Sequence, residues 1–228
     1  MKAVAIILAA GKPGRMSHPK ALIEHEGGKS FLQSLASTFG KAGGGMSVLG
    51  VVGSDEVAVR EQHPSLELVT SRDWEKSLMA SVKAGLEAAL ADDPDVVLLH
   101  PVDMPAVRAT TLKTLLKAVG ESGTVLRPEF EGAPGWPLIL TADMARKLHD
   151  AEGDKLEEAV RALSPRQLAV KDPGVVVNIN TPEVYERLFG GPPKLAPPPK
   201  RRMKRANAAN GAGAESAPAS YAAAPSEE

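Results

Sequence analysis

The chain of 228 residues contains no cysteine, which excludes disulfides, thiolate metal sites and a cysteine nucleophile. It also has no apolar run near the roughly 18 to 20 residues that a membrane span requires. The apolar opening, Ala3 to Ala10, passes straight into a glycine loop with no cleavage site, so it does not read as a signal peptide. A cytoplasmic protein with no membrane partner is expected. Excess charge of either sign is missing too. A formal net charge of -1 argues against a surface given over to nucleic acid, since such domains carry a clear surplus of Lys and Arg. There is no internal repeat. The five histidines, His18, His25, His63, His100 and His149, are scattered and read most simply as surface or packing residues.

What is present is an ordinary globular balance, 43% hydrophobic and 24% charged residues, enough for one domain with a sizeable core. From about residue 190 the composition shifts to Pro, Ala, Gly, Ser and Asn. Such a segment buries too little apolar surface to offset its ordering entropy. The expected organisation is therefore a domain over 1–190 and a disordered tail over 191–228. Inside the tail Lys200, Arg201, Arg202, Lys204 and Arg205 form a basic cluster, read as a solubilising feature or a weak handle for an acidic partner.

Short β-branched runs alternate with amphipathic patterns before that point, the signature of an α/β domain with a largely parallel sheet. Strands are expected at 3–8, 47–52, 67–69, 95–100, 124–127, 137–140 and 175–178. Ser30 caps an expected helix whose buried face carries Leu32, Leu35, Ala36 and Phe39. Leu78, Val82, Leu86 and Leu90 recur every four residues and mark a long helix. Further helices are expected at 55–62, 111–119, 143–148, 155–163 and 182–189.

The first strand empties into Leu8-Ala9-Ala10-Gly11-Lys12-Pro13-Gly14-Arg15-Met16, followed by Ser17-His18-Pro19-Lys20. A loop at the carboxyl end of a parallel strand is where such a sheet presents ligands, and small residues there let backbone N–H groups approach phosphate oxygens. Arg15 and Lys20 supply positive charge suited to a polyphosphate. Gly11 and Gly14 do not fit G-x-G-x-x-G, so this is not the dinucleotide fingerprint. Gly28-Lys29-Ser30 imitates the end of a Walker A motif but has Ile23 where the first glycine belongs. The apolar run Val96 to Leu99 ends in His100-Pro101-Val102-Asp103-Met104-Pro105. An acid at the end of a buried strand is costly unless ligated or paired, so Asp103 is a candidate magnesium ligand.

The string Leu8 to Lys20 resembles the L-A-A-G-x-G-x-R-M-x-x-P-K signature of the MobA-like nucleotidyltransferases, which include molybdopterin cytidylyl- and guanylyltransferases. Asp103 before Met-Pro, and Asn178-Ile179-Asn180-Thr181-Pro182-Glu183, also match that family in order. The resemblance covers about residues 3–189. It implies a three-layer α/β/α nucleotide-diphospho-sugar transferase fold, GT-A-like and Rossmann-like, with a mostly parallel sheet. It also implies a metal-dependent transfer of NMP from a nucleoside triphosphate to a small phosphorylated acceptor such as molybdopterin, releasing pyrophosphate. Catalytic roles fall to Arg15, Lys20 and Asp103. Nucleotide contacts are implied at Leu8, Ala9, Ala10, Gly11, Gly14, Arg15 and Lys20, and at Ser77 and Ser81, because Ser77 to Gly85 resembles a segment lying over the base. Mg2+ would be held by Asp103 with Asn178, or with Asn180 instead. Gly135 and Trp136 stand on the acceptor side, where Trp136 could stack on an aromatic acceptor.

The base is not fixed by these residues. Ala9-Ala10-Gly11 and Pro19-Lys20 lean toward cytidylyl transfer, whereas Met104-Pro105 and the Asn-x-Asn pair lean toward guanylyl transfer; CTP is slightly favoured. A sugar 1-phosphate or other small phosphate is the alternative acceptor. Pro13 departs from the family pattern and has no N–H to offer a phosphate. A catalytically weakened nucleotide-binding module is thus the rival reading from another class. A GT-A glycosyltransferase is disfavoured because the one D-x-D spacing, Asp93 to Asp95, lies at the wrong end of its strand.

Overall fold

A computed structural model describes residues 1–120 and 123–198. The central strand, β1 (Ala3–Leu8), is buried at every position and runs parallel between β2 (Ser47–Val52) and β4 (Val96–Pro101). Its side chains alternate between two cores. Ala3, Ala5 and Ile7 belong to one, while Val4, Ile6 and Leu8 belong to the other. This period-2 division makes the sheet the middle of three layers.

The first core is closed by α1 (Phe31–Ala42), through Phe31, Leu32, Leu35 and Phe39, and by α4 (Ala109–Ala118) and α7 (Pro182–Phe189). The opposite core is closed by α3 (Leu78–Ala91), through Met79, Val82 and Leu86, and by α5 (Ala142–Asp150) and α6 (Leu156–Ala162). The short α2 (Glu56–Gln62) sends Val59 into the first core. Ser30 caps α1 by accepting from Gln33 N at 3.1 Å, and Ser77 caps α3 by accepting from Ala80 N at 3.1 Å, each satisfying an orphan donor of a helix start. Gly85 lets α3 lie close to the sheet: a Cβ there would come within 2.7 Å of Ile6 Cγ2 and 2.8 Å of Val51 Cγ2.

Strand order is β3-β2-β1-β4-β7-β5-β6, with β3 at Glu67–Thr70, β5 at Val125–Phe130, β6 at Ala133–Pro134 and β7 at Leu138–Thr141. β3, β2, β1 and β4 are mutually parallel. β7 is antiparallel to β4 and β5. An eighth strand, β8 (Arg166–Ala169), pairs in parallel with β5 and was not expected. This is the mostly parallel three-layer fold implied by the sequence.

Two expectations are corrected. The strand at 175–178 does not form; Pro173–Val175 is a 3-10 turn capped by Asp172, which accepts from Gly174 N at 3.0 Å. Val176 and Val177 donate back to Pro173 O at 3.0 and 3.1 Å, so the turn set by Pro173 and Gly174 overrides the β propensity of three valines. The tail boundary at 191 also moves. Glu24 N donates to Lys194 O and Ala196 N to Leu22 O, both at 2.8 Å. Gln62 Nε2 donates to the Ala196 and Pro197 carbonyls at 3.2 and 2.8 Å, and Ala196 is buried. Residues 194–197 are thus a strap across 22–24; the basic cluster lies outside the described residues.

Hydrogen bonds of this kind contribute about 0.5–1.5 kcal/mol each. A chain ending at residue 193 is therefore expected to melt below one ending at 198 by about 4–24 °C at the sensitivity of a domain this size. Scanning calorimetry on the two truncations measures it, and coincident midpoints would show that the strap carries no stability.

Candidate active site

The carboxyl ends of β1 and β4 lie side by side, Leu8 opposite Pro101, and Val102 N donates to Leu8 O at 3.0 Å. The chain leaving β4 therefore starts beside the glycine loop that leaves β1. A cleft of about 290 Å³ opens there. One wall is Leu8, Ala9, Gly11 and Lys12; the floor is Pro101, Val102 and Asp103; Lys20, Asn178, Leu78 and Trp136 complete it.

The loop itself is a short 3-10 turn, Gly14–Met16, closed by Met16 N donating to Pro13 O at 3.2 Å. Gly14 at φ 57 and Ser17 at φ 60 are both left-handed, which glycine adopts freely and serine only at a cost. Among the described residues, no hydrogen-bond acceptor is engaged by the amides of Gly11, Lys12, Gly14 or Arg15. They remain available to an anion, while Pro13 has no such group to offer.

Lys20, in a second 3-10 turn (Lys20–Leu22), reaches across the cleft. Its Nζ lies 2.9 Å from Asp103 Oδ2 and also donates to Asn180 Oδ1. Asp103 Oδ1 is buried with no hydrogen-bond partner among the described residues. A buried carboxylate oxygen left without a donor is costly, and such an exception points to a ligand. Ile179 N donates to Asp103 O at 2.8 Å, so the segment carrying Asn178 and Asn180 is fastened to the turn that carries Asp103. No group of three or more His, Asp or Glu side chains able to hold a metal occurs among the described residues. A cation here would depend on Asp103, the asparagine amides and its own ligand's oxygens.

The same segment anchors the far wall. Trp136 N donates to Val175 O at 2.8 Å, and a Cβ on Gly135 would meet that carbonyl oxygen at 2.5 Å. Gly135 thus serves close backbone approach and does not line the cleft. Behind Trp136, the Arg127 guanidinium carbon lies 5.4 Å from the ring centroid. Arg127 donates to Gly135 O at 3.0 Å and holds both oxygens of Glu157 at 3.0 and 3.2 Å. The indole is therefore backed by an anchored cation.

Other sequence-selected residues lie apart from the cleft. Ala10 is buried, its carbonyl accepting from Ser54 N at 3.1 Å. Ser77 is occupied as the α3 cap. Ser81 is buried and donates to Ser71 Oγ at 3.2 Å. Arg15 is exposed and faces α7: the Glu183 carboxyl is held below its ordinary range by a Thr181 hydrogen bond, with the Arg15 charge adding to the effect. Lys12, Leu78, Pro101 and Val102 were not singled out from sequence. Lys12 sits 5.3 Å from the Trp74 ring centroid and 3.1 Å from Glu75; its place between Gly11 and Pro13 was the available signal.

The family model of the MobA-like NTP transferase domain matches residues 5–173. The chain belongs to this family. As a MobA-like NTP transferase it is a nucleotidyltransferase, and its fold recurs in solved structures. A nucleotidyl transferase from Methanothermobacter thermautotroptrophicus is 23% identical, with TM-score 0.70 over 82% of this chain and 95% of that one. A Mycobacterium tuberculosis H37Rv protein in complex with manganese is also 23% identical, with TM-score 0.63 over 84% and 100%. Molybdopterin-guanine dinucleotide biosynthesis protein A from Archaeoglobus fulgidus is 18% identical, with TM-score 0.59 over 81% and 95%. No curated protein matches this MobA-like chain in sequence.

Proposed function

We propose that the enzyme transfers NMP from a nucleoside triphosphate, CTP ahead of GTP, to a phosphorylated acceptor of the molybdopterin type, releasing pyrophosphate. The observation that carries this reading is the meeting of Lys20, Asp103, Asn178 and the Gly11–Lys12 loop in one cleft. An acceptor phosphate oxygen attacks the α-phosphorus in line, the α–β bridging P–O bond breaks, and pyrophosphate leaves with its electron pair. Positioning and charge neutralisation suffice for such a step, with no covalent intermediate.

The residues fit a divalent ion. The partnerless Asp103 Oδ1 and the Asn178 amide are hard oxygen donors, and a magnesium-type ion takes one or two carboxylates and completes its shell with phosphate and water. Asp103 would hold the ion with Asn178, which lines the cleft, whereas Asn180 is engaged by Lys20. When bound, the ion neutralises charge developing on the phosphates. The free loop amides and Lys12 cradle the triphosphate, and Lys20 steadies it. The base meets Leu78, 54% exposed at the start of α3. Trp136 faces the acceptor.

A sugar 1-phosphate is the alternative acceptor. The weakened binding module remains a second reading because Pro13 removes one amide from the loop; a hydrogen bond to a charged group is worth about 1.5–3 kcal/mol. Pyrophosphate release measured with each of the four nucleoside triphosphates, Mg2+ or Mn2+, molybdopterin and a set of sugar 1-phosphates separates these. Release is expected with CTP and molybdopterin. Tight nucleotide binding without release on any acceptor would decide for the module.

A further inference from the structure

We propose that Lys20 is an internal cation that competes with the divalent ion for Asp103, and that this competition couples metal binding to nucleotide binding. The inference rests on the reading of the cleft as a metal–triphosphate site and says how that site is filled.

The Lys20 ammonium is 2.9 Å from Asp103 Oδ2 and also bonded to Asn180 Oδ1. These oxygens belong to the residues from which the ligand set of a divalent ion must be drawn. Among the described residues, Asp103 carries no other cation partner. Both side chains are largely buried, Lys20 at 23% exposure and Asp103 at 14%, so water only partly screens the pair. An ion entering alone must share Asp103 with a nearby positive charge or displace it. It also leaves a part-buried ammonium short of acceptors, which is costly.

A triphosphate changes that balance. It gives the ammonium a new anionic partner across the cleft, beside the free amides of Gly11 and Lys12, and would leave Asp103 to hold the ion without a competing ammonium. Metal and nucleotide then favour each other's binding, each by the same factor. The side chain that neutralises Asp103 in one state positions the phosphates in the other, so the metal is ordered fully only when substrate is present.

The test is Mn2+ binding, followed by electron paramagnetic resonance and calorimetry, with and without CTP, on the full chain. Lys20→Met is expected to tighten Mn2+ binding without nucleotide by about tenfold and to reduce the enhancement that CTP gives, within the 5- to 150-fold range of such couplings. Lys20→Gln, which keeps a donor for Asn180, should behave the same way if Lys20→Met does not fold. Metal affinity unchanged or weakened in the folded variants overturns the competition. Asp103→Asn is measured alongside. If it abolishes Mn2+ binding while the Lys20 variants change nothing, the metal site stands and only this inference fails. If Mn2+ binding ignores Asp103→Asn, the metal-site reading itself fails.

Discussion

Replacing Asp103 with alanine is expected to lower metal-dependent nucleotidyl transfer by ~10³-fold or more, equivalent to ~4 kcal/mol of transition-state stabilisation, while moving the melting temperature by no more than about 4 °C. The two halves follow from one geometry. Among the described residues Asp103 is the one carboxylate lining the cleft, so no described neighbour can replace it as the proposed ligand. Losing a single preorganised hydrogen bond to a developing charge already costs about 10²–10³ in rate, and a metal ligand carries more than one such contact. Stability responds differently. Lys20 keeps Asn180 and is partly solvated, and the buried Asp103 Oδ1 that lacks a partner disappears with the carboxylate. Asp103→Ala removes one partner of the pair and leaves the Lys20 ammonium on Asn180 and water, a cost that loss of the unsatisfied buried oxygen offsets. Steady-state pyrophosphate release and a thermal melt on the same preparation check both halves. Activity within tenfold of wild type would show that the ion is held elsewhere, and a collapsed melt would make Asp103 chiefly structural.

The sequence exposes those parts of the site whose chemistry is local. Small residues after an apolar strand, or an acid ending another, carry their meaning in their neighbours, so the Leu8 to Lys20 loop and Asp103 could be selected before any fold was known. Ser77 and Ser81 are implied only by the resemblance of their segment, which carries no side-chain direction. Ser77 is the cap, at φ -164 and ψ 160, outside the helix whose face Ser81 shares, and Ser81 turns inward to Ser71. The wall between them falls to Leu78, which looks like ordinary helix periodicity. The valine run at 175–177 reads as a strand on propensity alone, yet Pro173 and Gly174 close a turn first. Its backbone then ties Trp136 to the Asp103 turn, a link that depends wholly on tertiary placement. β8, Arg-Gln-Leu-Ala, is largely exposed and has no alternation to reveal it; pairing with β5 makes it a strand.

Acid should unfold the protein through His100, with a stability loss of ~3 kcal/mol as pH falls from about 6.5 to about 4. His100 is fully buried at the end of β4, packed 5.3 Å from the Phe39 ring. Its Nε2 lies 2.8 Å from Met104 O; a carbonyl can only accept, so Nε2 carries the proton of the neutral ring. Nδ1 is buried with no partner among the described residues, and a second proton there would find no acceptor among them. Burial accordingly lowers the pKa from 6.5 to about 4, only partly opposed by the Met104 hydrogen bond. Between those values the unfolded chain binds a proton that the folded chain refuses, so stability is intact above about 6.5 and declines as pH falls. His25 and His63, both lowered by burial, add in the same direction. The strain falls three residues before Asp103, on the turn whose Met104 carbonyl His100 holds, so the site should loosen along with the fold. Denaturant titrations at pH 7 and 4.5 measure the slope. In His100→Gln, which keeps a donor for Met104 O, the decline should become shallower, leaving the part due to His25 and His63. A wild type equally stable at both pH values would mean that His100 accepts its second proton in the folded state.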